Sequence, residues 1–400
     1  MLHQKHRAGW VLVLGAIGAC SSQPAKDAVN TVASGATTSA TLSQSVARLA
    51  PTQMWVDDAG VIVRRSNEIA TYDTATLAPT WHSDRALLSA DRSVAVSSVT
   101  SAGATVVAVH DIRAGTTRRT FTLNTEREVA AVSTHGDIAA FVDPQIINPV
   151  TAMPTGRARS IVDVVELATG ALRKEYDLAG NYRPEAFDTS GGLALLDFEP
   201  NDHPDRYRVR RLDLLSGDLH NVLTREKTEV VDDMQGYGRA AVAATDGFAL
   251  FTLYRDASQG DAAFIHELLG QGLFAFCVDL PDAGFGESAA LALSPDGRDL
   301  YVAGLDGAVA ILDAHVDFGP DPLAIRKVVH VLGVVGVPRA IAITDSTVWL
   351  LVADHVVQAD RNTGVVVRST EVGTDTMSVG ATSDAHNVLV AAGALLRRIA

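Results

Sequence analysis

The chain has 400 residues, two cysteines and a formal net charge of −14, from 33 Lys and Arg against 47 Asp and Glu. That balance excludes a nucleic-acid partner, which needs clustered cations, and an electrostatic membrane patch; its plain role is to keep the protein soluble. Two cysteines allow neither a disulfide framework nor a cysteine metal site, and the length suits one large β architecture or two ordinary domains.

Residues 1–22 read MLHQKHRAGWVLVLGAIGACSS. Lys5 and Arg7 give a basic start. Residues 10–19 are apolar but too few to span a bilayer as a helix. Ile17-Gly18-Ala19-Cys20 closes the run. This segment resembles a bacterial lipoprotein signal peptide. The resemblance implies that residues 1–19 are cleaved, that Cys20 carries a thioether-linked diacylglycerol, and that acyl chains hold the protein on a membrane outside the cytoplasm. Several chains on one residue anchor stably, whereas one is marginal. Ser21, not Asp, follows the cysteine, which in a two-membrane bacterium implies the outer membrane. The competing readings are a secretory signal with a chance cysteine and an uncleaved anchor.

Cys20 and residues 21–45 form the next stretch, SSQPAKDAVNTVASGATTSATLSQS after the cysteine. It is too poor in large apolar residues to bury a core, and reads as a flexible Ser/Thr/Ala-rich tether.

From residue 46 to 400 the texture is uniform. Short apolar runs of β-branched residues alternate with Gly, Asp, Asn and Ser turns, with no sustained 3.6-residue period. This is the pattern of an all-β body of many short strands. The clearest unit is 288–331: AALALS, the turn Ser294-Pro295-Asp296-Gly297, DLYVAGL, the turn Asp306-Gly307, AVAILDA and AIRKVVHV. Pro presets φ early in the first turn and Gly accepts the positive φ that follows. Third strands of successive units tend to end in an acid: Asp73, Asp111, Glu166, Asp213, Glu267, Asp313 and Asp360, with ALLRRIA last. That makes eight candidates at a spacing of roughly 35–55 residues, the period of propeller blades. The acid is read as a cap on the turn after the strand.

The phrase SPDG-x-x-LYVA resembles the bacterial YVTN/WD40-like β-propeller repeat proteins, specifically at 291–313 and loosely elsewhere. The Trp-Asp and Gly-His signatures of true WD40 proteins are absent. The expected fold is an all-β propeller of seven or eight four-stranded blades, with the direct count favouring eight. The final segment, 377–400, offers only three strands. Val46-Ala47-Arg48-Leu49 is expected to add the fourth, so that pairing of N- and C-terminal strands closes the ring and removes an exposed edge.

No established catalytic set stands out. Asp313, His315 and Asp317 alternate in LDAHVDFGPD and would share a face if the strand continued. Two carboxylates and an imidazole suit a divalent metal; the alternative is a polar strand end and turn. Glu199, Asp202, His203 and Asp205 read as a solvated hairpin loop without calcium-loop spacing. His266-Glu267 imitates a zincin start, but Gly270 stands where the second His is needed. The nucleophile elbow and the P-loop are missing. Cys277, in LFAFCVDL, reads as a buried small hydrophobe. The pairs Arg64-Arg65, Arg118-Arg119, Arg210-Arg211 and Arg397-Arg398 are either a binding rim or solvated outer-strand residues paired with acids. His82, His110, His135, His315 and His355 are scattered. No cofactor is implied. The expected function is a lipid-anchored scaffold or protein-binding module of the cell envelope, with an envelope protein as partner. The alternative is a propeller enzyme, of the lactonase or quinone-dependent dehydrogenase type to which some exported propellers belong, with its site at the axial channel.

Overall fold

The computed structural model describes residues 53–399, apart from 58, 66–67, 149–152, 227–228, 232–236, 257–261, 271–273, 282–283, 288–289, 315–323 and 394. Cys20, the tether, the strand expected at 46–49, His315 and Asp317 therefore lie outside the described residues.

Eight antiparallel sheets follow one another along the chain, at residues 53–84, 86–123, 128–179, 181–221, 223–279, 291–330, 338–371 and 376–398. They are named blades 1 to 8 here. Within each except blade 5, successive strands pair as neighbours from the inside outwards. Among the described residues, helix is limited to the four residues Gly284–Glu287 and a 3-10 turn at Leu305–Gly307.

Burial grades outward, as a radial array requires. Several second strands are buried along most of their length, as in Thr347–Val352 and Gly192–Glu199. Fourth strands such as Thr116–Leu123 and Val366–Glu371 are largely exposed. Each blade must cover both faces, and eight apolar clusters do so, one between every pair of neighbours. The eighth packs Met54, Val61 and Val63 of blade 1 on Leu389 and Ala391 of blade 8. Arg65 donates to the Gly393 carbonyl at 2.6 Å and Arg398 to that of Thr74 at 2.6 Å across the same junction. The ring is closed and has eight blades.

Two features depart from the expected regularity. Blade 8 has three strands among the described residues, the last being Leu395–Arg398; the strand expected outside it falls on 46–49. Blade 5 has six. Leu223–Glu226 runs parallel to its fourth strand, Phe274–Asp279, and Glu229–Val231 pairs outside that.

The turn readings hold atom by atom. The Ser294 hydroxyl donates to Asp296 Oδ1 at 2.6 Å and accepts from the Asp299 amide at 2.9 Å. Gly297 sits at φ 72°. The same knot recurs at Ser89/Asp91/Val94 and Thr382/Asp384/Asn387. The carboxylates of Asp73, Asp111, Asp213 and Asp360 accept backbone amides of the turns that follow them, at 2.7–3.0 Å. Glu267 does not follow this pattern. Its strand runs on to Leu269, so Glu267 stands inside the sheet and caps nothing.

Candidate functional site

The innermost strands surround the axis. Gln53, on blade 1, donates from Nε2 to the Ala241 carbonyl of blade 5 at 2.9 Å. Blades 1 and 5 stand opposite each other in a ring of eight, so this bond crosses the channel and divides it. A cavity of about 460 Å³ lies against blades 1 and 5–8 and Arg92 of blade 2. A smaller one of about 170 Å³ lies against blades 1–5. The lining of the smaller one includes residues of inner hairpin turns: Ser89, Ala90, Arg92, Thr134, Asp188 and Gly247.

The smaller cavity gathers polar groups in an apolar wall. On the second strand of blade 1, Gly60–Arg65, side chains alternate. Val61 and Val63 enter the core shared with blade 8, and Ile62 faces blade 2. Arg64 has the parity of Ile62. Blade 2 offers only the three-residue inner strand Ala86–Leu88 at this place, so Arg64 lines the cavity instead of a packed core. Its guanidinium carbon lies 5.9 Å from the centre of the Trp55 ring, and that of Arg92 lies 5.5 Å from it. Burial with no counter-charge pulls Arg64 down to about 10, still protonated at neutral pH. Burial lowers Arg92 too, but Asp57 and Asp91 oppose the shift.

Glu185 completes the group. The pairing of Asn181–Phe187 with its neighbour slips between Pro184 and Ala186, which leaves Glu185 as a bulge residue. A bulge re-aims its side chain, and Glu185 lines the channel. Burial pushes its carboxyl up to about 7, against the pull of Arg183. Three buried polar atoms on this wall have no hydrogen-bond partner among the described residues: Arg64 Nη2, Gln53 Oε1 and Glu185 Oε2.

The residues singled out in the sequence lie elsewhere. Asp313 ends the third strand of blade 6, near enough to Glu267 for its charge to raise that carboxyl. Among the described residues no cluster of metal-ligating side chains occurs. In the blade 4 hairpin, Glu199 pairs with Arg208 at 2.7 Å, Asp205 with Arg206 at 3.1 Å and Asp202 with His203 at 3.1 Å. His110 is buried and bonded to Ser97 and Thr117, both at 3.1 Å. His135 pairs with Asp91 and His355 with Asp354. No histidine lines either cavity. Cys277 is buried, as read.

Most of the paired arginines meet acids or carbonyls: Arg65 with Glu68, Arg118 with Asp111, Arg210 with Asp197 and Arg211 with Asp188. Only Arg118 and Arg119 lie on a fourth strand, so an outer position is a wrong general description of these pairs. Arg64 is the departure that matters. Its parity with Ile62 was visible in GVIVRR, but the shortness of the facing strand was not. Gln53, Trp55 and Glu185 carried no signal beyond their residue type.

No protein-family model matches the sequence, and no curated protein matches it significantly. Among solved structures, a protein of unknown function from Desulfotomaculum acetoxidans DSM 771 aligns at 12% identity and a TM-score of 0.42, over 81% of this chain and 98% of the other. Kuenenia stuttgartiensis hydrazine synthase aligns at 13% and 0.48, over 91% and 99%. The β-propeller domain of Myceliophteria thermophila Cps50 (Swd1) aligns at 12% and 0.42, over 86% and 96%. These likenesses concern fold and carry nothing about activity.

Proposed function

We propose that this chain is a lipid-anchored, extracytoplasmic β-propeller that serves as a protein-binding module of the cell envelope. The anchoring rests on residues 1–22, with Cys20 as the acylated residue. The binding role rests on one surface. Leu332 and Val335 are 69% and 79% exposed in the connection between blades 6 and 7, beside Val337 at 37% and Leu305 at 39%. Apolar side chains presented together on a soluble surface mark an interaction site.

The patch is held in shape. Asp306 and Gly336 exchange two hydrogen bonds, Asp306 N to the Gly336 carbonyl at 3.0 Å and Gly336 N to Asp306 Oδ1 at 2.8 Å. Val334 is buried beneath. A surface ordered before binding loses less entropy on association. Connections from one blade to the next and between second and third strands share one end of a propeller. The patch therefore lies at the end opposite the inner hairpin turns.

The test is cross-linked capture from native membranes, with the tagged chain and its Leu332→Asp/Val335→Asp variant compared. The expected result is one reproducible envelope protein captured by the wild type and lost from the folded variant. Equal capture by both would sink the assignment to this patch. Cys20→Ser is expected to release the body into the soluble envelope fraction; unchanged membrane attachment would remove the lipid anchor from the proposal.

A further inference from the structure

The smaller axial cavity holds an electrostatic imbalance that the fold itself does not resolve. Arg64 has no carboxylate within ion-pair reach among the described residues, and its buried Nη2 has no hydrogen bond. Taking a guanidinium out of water without a counter-charge costs several kcal/mol. Two other buried arginines have carboxylate partners. Arg183 pairs with Glu128, and Arg127 meets Asp163 at 2.7 Å and Asp143 at 2.5 Å. Arg64 and Arg92 both line the cavity beside the Trp55 indole ring, but Asp57 and Asp91 offset the charge of Arg92, whereas Arg64 has no such counter-charge; a guanidinium plane held on a ring in this way keeps its fork free.

The remaining lining narrows the ligand. Leu87, Ala130, Ala131, Ala241, Val242 and Leu268 make the wall mostly apolar. A volume of about 170 Å³ holds on the order of ten waters or one small molecule. Gln53 Oε1 and Glu185 Oε2 are unmatched acceptors on the same wall. A site of this kind, apolar with a few convergent polar groups, suits a compact organic anion, and a bidentate fork matches a carboxylate.

We propose that the smaller axial cavity binds a small organic carboxylate, whose carboxylate oxygens pair with the Arg64 guanidinium over Trp55 while its apolar body lies on the alanine-rich wall of blades 3 and 5. Gln53 and Glu185 accept from any hydroxyl or ammonium group the ligand carries. Entry is through the inner hairpin turns, at the end of the ring opposite the apolar patch. The two sites are thus separate, and failure at one leaves the other standing.

The experiment is isothermal calorimetry on the detergent-solubilised full-length chain with benzoate and isovalerate, each against its neutral amide. Both carboxylates are expected to bind saturably, and the amides at least roughly tenfold more weakly, because the uncompensated charge discriminates. Arg64→Gln is expected to abolish the preference for the acid while the protein stays folded by circular dichroism. If that variant folds poorly, Trp55→Phe is expected to weaken both carboxylates and to remove any ligand-induced change in tryptophan emission that the wild type shows. The proposal is overturned if neither carboxylate binds the folded wild type at millimolar concentration, if acids and amides bind alike, if Arg64→Gln binds as the wild type does, or if inorganic phosphate binds in preference to both.

Discussion

His266 and Glu267 occupy successive positions of Ala262–Leu269 and so face opposite blades. Both are buried, and neither His266 Nε2 nor the Glu267 carboxyl has a hydrogen-bond partner among the described residues. Burial moves them in opposite directions, because it penalises whichever form is charged. It pushes Glu267 up from 4.5 to about 8, with the charge of Asp313 adding to the shift. It pulls His266 down from 6.5 to about 4. The raised Glu267 contributes stability that is complete below 4.5 and is lost as pH rises through about 8. The lowered His266 contributes stability that is complete above 6.5 and is lost as pH falls through about 4. Glu267→Gln is therefore expected to exceed the wild type in unfolding free energy, read from urea titrations, at about pH 9 by on the order of 3–5 kcal/mol, with little difference below about pH 4.5. Equal unfolding free energies across that range would show that Glu267 ionises freely. By the same parity His266 and Glu267 point to opposite faces of the sheet and do not converge as a zincin His-Glu pair would.

At the scale of the element, turns divide into those that only need a conformation and those that also need space. Gly297, in the SPDG turn, has φ 72° and open surroundings; a Cβ there would meet nothing within 4 Å. Gly364, after the third strand of blade 7, also has φ 72°, but a Cβ there would lie 2.1 Å from the His330 carbonyl of blade 6. Gly297→Ala is expected to cost about 1–2 kcal/mol, the left-handed penalty alone. Gly364→Ala should cost distinctly more, since a neighbouring blade must move. Thermal midpoints of the two variants check this, and equal losses would show that blades 6 and 7 separate freely at that turn. Both glycines were legible as turn residues. That one of them is an interblade contact was not, because the carbonyl it meets lies 34 positions earlier in the chain.

For the whole molecule, the eight interblade clusters are unequal. The one between blades 1 and 2 has three fully buried members, Ile69, Ala95 and Ile112. The one between blades 5 and 6 has eighteen. Apolar burial contributes about 25 cal/mol per Å², so the first interface is the weak place in the ring. Ala86–Leu88 and Leu291–Leu293 are both three-residue inner strands, one beside the thin cluster and one beside the thick. Amides of Ala86–Leu88 are expected to exchange with solvent well before those of Leu291–Leu293 under native conditions. The reverse order would mean that the thin cluster is reinforced from elsewhere. The weak interface adjoins the cavity lined by Arg64, so a ligand seated there should slow exchange in Ala86–Leu88 as well.

Most strands, the inner hairpin turns and a count of seven or eight blades, favouring eight, were determined by the sequence alone, because they are local. Alternating burial, Ser-x-Asp knots and turn-capping acids act within about ten residues. Three features were decided only by the tertiary structure. The added strand Leu223–Glu226 pairs in parallel with a segment some fifty residues on, and no local pattern encodes such a partner. The Gln53–Ala241 bond that divides the channel joins residues 188 positions apart. Strand parity gives each side chain one of two faces, but what that face meets depends on the neighbouring blade. A short strand there turned Arg64 from one more paired arginine into a buried cation facing a cavity.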